Sequence, residues 1–134
     1  MADGTLRLTT IIPKGWLTRM SDIGVPAEGD FMEAFGATPV LLAGGEATYL
    51  VEVASGGREL LLSYDVVERS VRVKIRDGAM DSVDLYYEGL DTISLTGGGS
   101  TAGLTVTLSG TGYLVRVHVA VFPILGIRSE VLAG

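Results

Sequence analysis

Three groups of residues in this chain have types and spacings that invite a chemical reading. The first is the stretch LTGGGSTAGLT, residues Leu95 to Thr105. Gly98 and Gly103, followed by Leu104 and Thr105, match the spacing of a phosphate-binding P-loop, with leucine where the lysine belongs. Gly97, Gly99 and Ala102 match the looser dinucleotide fingerprint. The second is His118, the only histidine and a candidate acid–base group. The third is a set of carboxylates, Asp22, Glu28, Asp30 and Glu33, of the kind that can bind a hard cation.

The elements that must carry these residues decide among the readings. A P-loop and a dinucleotide loop both lead into a helix, whose N-terminal N–H groups meet the phosphate. Here the glycines lead into Leu104, Val106 and Leu108, which alternate with threonines as a strand does. With no helix and no lysine, the stretch reads as a hairpin turn. His118 lies on the strand Tyr113 to Phe122, with no partner nearby in sequence and no G-x-S-x-G elbow in the chain. It reads as a packing or surface residue. The carboxylates follow no EF-hand spacing, and Asp30 and Glu33 have a use in capping the start of a helix. No cofactor and no metal is expected from these patterns, and no catalytic residue is assigned.

Period-two alternation dominates the rest of the chain. Leu6 and Leu8, Tyr49 to Val53, Val71 to Ile75, Val83 to Tyr87, and Tyr113 to Val121 each put their apolar residues on one face. Gly56-Gly57 suits a two-residue type I′ turn, which sets Val53 opposite Leu60, Val51 opposite Leu62 and Tyr49 opposite Tyr64. A second hairpin, with its loop centred near Met80, sets Arg76 opposite Asp84, Lys74 opposite Tyr86 and Arg72 opposite Glu88. The Arg72, Lys74 and Arg76 stripe then reads as a paired, solvated face, not a nucleic-acid patch. Only Pro13 to Pro39 breaks the pattern. Within it, Asp30 as N-cap, Glu33 three residues on and Gly36 as stop mark one short helix near residues 30–36. The expected fold is one all-β domain over residues 1–134, an antiparallel β-sandwich or jelly-roll-like barrel with that helical insert.

Composition narrows the function classes. The chain has no cysteine, which removes disulfides, thiolate catalysis and Cys-based metal sites. It also lacks Asn and Gln, which fits either a heat-stable protein or a biased genome. No apolar run reaches the roughly 20 residues that span a bilayer, and no signal-peptide pattern opens the chain, so a cytoplasmic location is expected. Sixteen acidic against ten basic residues give a net charge of −6. Such a balance disfavours nucleic acid as partner and favours a basic one.

The expected function is that of a non-enzymatic interaction or assembly module. It binds a protein partner or itself as a homo-oligomer, without nucleic acid or membrane. The interface candidates are Trp16, Met20, Phe31, Met32 and Phe35 in the irregular segment, and Leu114, Phe122, Ile124 and Leu125 near the C-terminus. One alternative is an inhibitor or immunity-type protein whose acidic face blocks a basic toxin. A second is a ligand-binding barrel or cupin-like enzyme. It requires a cavity lined by several of Tyr49, Tyr64, Tyr86, Tyr87 and Tyr113, with His118 pointing in.

Overall fold

The computed structural model describes residues 24–44, 47–98 and 100–133. The expected strand from Leu6 to Thr10 therefore lies outside the described residues, as do Trp16, Met20 and Asp22. One helix, α1 (Glu28–Phe35), precedes nine strands: β1 (Val40–Leu41), β2 (Thr48–Ser55), β3 (Arg58–Asp65), β4 (Ser70–Asp77), β5 (Met80–Glu88), β6 (Leu90–Gly98), β7 (Thr101–Gly110), β8 (Tyr113–Phe122) and β9 (Gly126–Ala133). Strands β1 to β5 form one antiparallel sheet in sequence order, and β6 to β9 form a second in sequence order. The all-β sandwich read from alternation is thus the observed fold. Both sheets are meanders among the described residues, the sandwich form of the two architectures expected.

Alternation explains why the sheets meet. Val51, Val53, Leu60, Leu62, Val71, Val73 and Ile75 line the inner face of the first sheet and are buried. They join Ile93, Leu104, Val106, Leu108, Val117, Val119 and Val121 of the second sheet in one core. Burying each such side chain contributes about 1.5–3 kcal/mol, so neither sheet face is stable alone in water.

The first hairpin has the expected register, with Val53 opposite Leu60, Val51 opposite Leu62 and Tyr49 opposite Tyr64. Gly56 and Gly57 both take positive φ, at 61° and 80°, as a type I′ turn demands. The second hairpin differs from expectation. Its turn is Gly78-Ala79, so Lys74 faces Asp84 and Arg72 faces Tyr86. Gly78, at φ 66°, accepts the left-handed turn position and draws the turn two residues earlier than Met80. A bulge opposite Ile75 and Arg76 absorbs Ser82, whose hydroxyl donates to the Ile75 carbonyl at 3.1 Å. The glycine-rich stretch is a hairpin turn, as expected: Gly98 pairs with Thr101, and Leu104, Val106 and Leu108 point into the core.

The helix begins earlier than expected, with Ala27 as N-cap. Asp30 instead fills the third helical position, and its carboxylate accepts the Ala27 N–H at 3.3 Å. Gly36 ends the helix in the left-handed conformation, its N–H donating to the Met32 carbonyl at 2.8 Å. Phe31 is fully buried, with its ring 6.3 Å from Tyr64, and Phe35 lies 6.4 Å from Phe122. The helix thus closes the sandwich along β6 and β7. Burial pushes the Tyr64 hydroxyl up to about 12.

The chain passes from one sheet to the other through Gly89 alone, between β5 and β6. Its φ is 87°, and a Cβ there would lie 2.6 Å from the Ser109 carbonyl oxygen. Gly89 also donates to the Arg69 carbonyl at 2.9 Å and accepts the Ser109 N–H at 2.9 Å. Two polar ties join the sheets elsewhere. The Ser55 hydroxyl donates to the Val121 carbonyl, and the Arg58 guanidinium to the Leu125 carbonyl at 2.9 Å. Gly89→Ala is expected to cost at least about 2 kcal/mol in urea unfolding, from backbone strain and overpacking. Gly29→Ala, in α1 with open space around it, is expected to stabilise by about 0.5–1 kcal/mol. Equal effects of the two substitutions would contradict this account of the corner.

Candidate functional site

Charge is segregated along the chain. Between Gly24 and Gly89, twelve Asp and Glu stand against five Arg and Lys; from Leu90 onward two stand against two. The negative charge therefore belongs to α1 and the five-stranded sheet. On the outer face of that sheet the basic stripe is neutralised, as the paired reading expects. Arg72 makes two 2.8 Å hydrogen bonds to Asp84, Lys74 lies 3.3 Å from Asp81, and Arg76 lies 3.6 Å from Asp81 and 3.7 Å from Glu59. The slipped register makes the Arg72–Asp84 pair diagonal across the strands. Exposed Glu52, Glu68, Asp77 and Glu88 have no cation paired to them among the described residues. This half of the protein presents a negative surface.

A cleft adjoins α1. It holds about 800 Å³ between α1 and β6. Val25, Pro26, Ala34, Ile93 and Leu95 give it apolar walls, and Asp30 and Glu33 add two carboxylates. A cleft of this size falls in the range of ligand sites.

His118 lies on the outer face of the four-stranded sheet, away from the core. Its Nδ1 is 3.0 Å from the Thr105 hydroxyl and its Nε2 is 2.9 Å from a Glu130 carboxylate oxygen. These partners sit on β7 and β9, in register with β8, and only the fold brings them together. The row resembles a hydroxyl–imidazole–carboxylate relay. It stands in mid-sheet, where the ladder engages the backbone N–H groups that an oxyanion would require. The arrangement orients the ring and contributes no acyl-transfer chemistry that the geometry supports.

The barrel alternative fails on the same observations. The interior is filled by the core and His118 faces outward. Tyr64 is buried against Tyr49 and Phe31, whereas Tyr86 and Tyr113 are exposed, so no tyrosine-lined cavity forms. Among the described residues no group of three or more His, Asp or Glu side chains is placed to hold a metal ion, and no helix is long and apolar enough to cross a membrane.

The interface candidates separate into three sets. Phe31, Phe35 and Leu125 are buried in the protein's own core, because their side chains are what seals it. Leu114 and Phe122 are half-buried. Met32, at 50 % exposure, and Ile124, at 69 %, stand at the surface. Sequence reasoning missed Met80 and Tyr86, exposed by 71 % and 56 % on the edge strand β5. Their inclusion in an alternating run masked the fact that, among the described residues, β5 has a neighbour on one side only.

Three carboxylates are held below their ordinary range. Hydrogen bonds from Thr48 to Asp65, from Arg72 to Asp84 and from His118 to Glu130 are the main causes. A folded pKa below the unfolded one means that the unfolded chain binds more protons in acid. Stability from these groups is therefore complete above their unfolded values, near pH 4, and is lost as pH falls through the folded ones. Thermal unfolding followed from neutral pH down to about pH 3 is expected to show this loss. Asp65→Asn is expected to flatten the profile, and an unchanged acid limb in that variant would contradict the assignment.

No protein-family model matches the chain, and no curated protein matches it in sequence. A solved structure does resemble it: a chain from a contact-dependent growth inhibition toxin–immunity protein complex of Klebsiella pneumoniae 342. The two superpose with a TM-score of 0.72 over 84 % of this chain and 100 % of that one, at 16 % identity. A likeness at this identity shows the shared fold.

Proposed function

We propose that the protein is a non-enzymatic binding module of the immunity or inhibitor type, which holds a basic protein partner against its acidic half. The observation that carries this reading is the charge segregation: among the described residues, eleven carboxylates against five cations fall on α1, the five-stranded sheet and its turns, and most of those carboxylates are exposed. The fold shared with a chain of a toxin–immunity complex supports the same reading. Surface-exposed Met32, Met80 and Tyr86 lie on these same elements and supply apolar anchors of the kind found in interface cores. Charge complementarity of this sort speeds encounter and selects the partner.

The test is affinity capture with this chain as bait, followed by the isoelectric point of the captured protein and the affinity of the complex from about 50 to about 300 mM NaCl. A complex whose affinity falls about tenfold or more over that range is expected. A salt-independent complex, or none, contradicts the reading. Self-association is a second proposal, favoured by the exposure of Ile124 and Val131, at 69 % and 70 %, beside and on the edge strand β9. Light scattering at high protein concentration is expected to show a dimer or larger species that Val131→Lys dissociates. A strict monomer contradicts it.

A further inference from the structure

Along the cleft between α1 and β6, one edge of β6 is only partly paired among the described residues. Gly24 forms a parallel bridge to β6. Its N–H donates to the Asp91 carbonyl at 3.1 Å, and the Ile93 N–H donates to the Gly24 carbonyl at 2.8 Å. In an extended strand the N–H and C=O of one residue point the same way, and the direction alternates residue by residue. The Leu95 N–H and C=O therefore point as the Ile93 N–H does, away from β7 and into the cleft. Pro26 has no N–H to continue the bridge, and the chain enters α1 at Glu28. Among the described residues nothing pairs with the edge of β6 away from β7 beyond Ile93.

An edge of this kind is a template for an added strand. Around it, Val25, Pro26 and Ala34 form an apolar wall, and Asp30 and Glu33 place two exposed carboxylates along the groove. We infer that this groove takes an extended, basic segment of the protein partner. The segment adds to β6 through backbone hydrogen bonds and places Lys or Arg side chains against Asp30 and Glu33. A second copy of this chain is a poorer occupant. Its edge strand among the described residues of the first sheet, β5, has no lysine or arginine of its own and offers Asp30 and Glu33 no cation. The inference rests on the basic-partner reading above and names the site of docking.

The probe is an acetylated, amidated peptide of alternating lysine and valine, titrated into the full chain and followed by amide chemical shifts. The alternating glutamate–valine peptide is the control. The lysine peptide is expected to move the amides of Ser94, Leu95 and Thr96 and to protect the Leu95 N–H from hydrogen exchange. Glu33→Lys, an exposed substitution outside the core, is expected to weaken binding about fivefold or more. The glutamate peptide is expected not to bind. Equal binding of both peptides, or shifts confined to β5 or to the outer sheet faces, overturns the inference. A Leu95 N–H already protected in the free chain also overturns it, since the chain's own residues then fill the edge. The two readings separate cleanly. A salt-sensitive complex with a captured basic protein that leaves the β6 amides unmoved keeps the basic partner and removes this groove. Absence of that complex removes the basic-partner reading, and the peptide titration still decides the groove.

Discussion

Two one-sided sheets must bury their apolar faces on each other, and the chain gives them a single residue in which to turn. Gly89 is that residue. Its positive φ and its close approach to the Ser109 carbonyl let β6 leave the first sheet and begin the second with Leu90 already buried. Each sheet then grows by tight hairpins alone, so the sheets face each other across one core. The ties from Ser55 to Val121 and from Arg58 to Leu125 hold the faces at points where the hairpin ladder cannot. Helix α1 completes the closure by inserting Phe31 beside Tyr64.

Much of this was legible in the residues. A period of two distinguishes inner from outer faces wherever one face is buried, and the Gly56-Gly57 turn fixed its register because I′ geometry leaves little choice. The failures share a cause. At Met80 the alternation was intact, but a bulge at Ser82 let the strand keep its faces while sliding two residues, and alternation cannot sense a slip by two. At Asp30 the carboxylate does serve the helix start, but from inside the first turn; sequence spacing does not distinguish a capping residue from the residue that reaches back to the cap. The partners of His118 come from β7 and β9, and no local signal marks Thr105 or Glu130 as neighbours. The same limit applies to Phe31, Phe35 and Leu125, whose size suits an interface and a core equally well.

The surface follows from the architecture. The excess of carboxylates falls on the five-stranded sheet and its turns and on α1, which packs along β6 and β7 and so carries part of that charge to the border of the second sheet. The Arg72, Lys74 and Arg76 stripe does not offset it, since those cations are already engaged by Asp84, Asp81 and Glu59. The other sheet carries equal numbers of charges of each sign and a histidine locked between Thr105 and Glu130. The two halves are thus electrostatically unlike, and the α1–β6 cleft lies where they join.

Hydrogen–deuterium exchange of the protein alone and in complex with the captured basic partner tests the central claim most directly. The account predicts slowed exchange in α1, in β5 and along β6 near Leu95, with the outer face around Arg116, His118 and Arg128 unchanged. Protection centred on that outer face, with α1 and β5 exchanging as in the free protein, would contradict it.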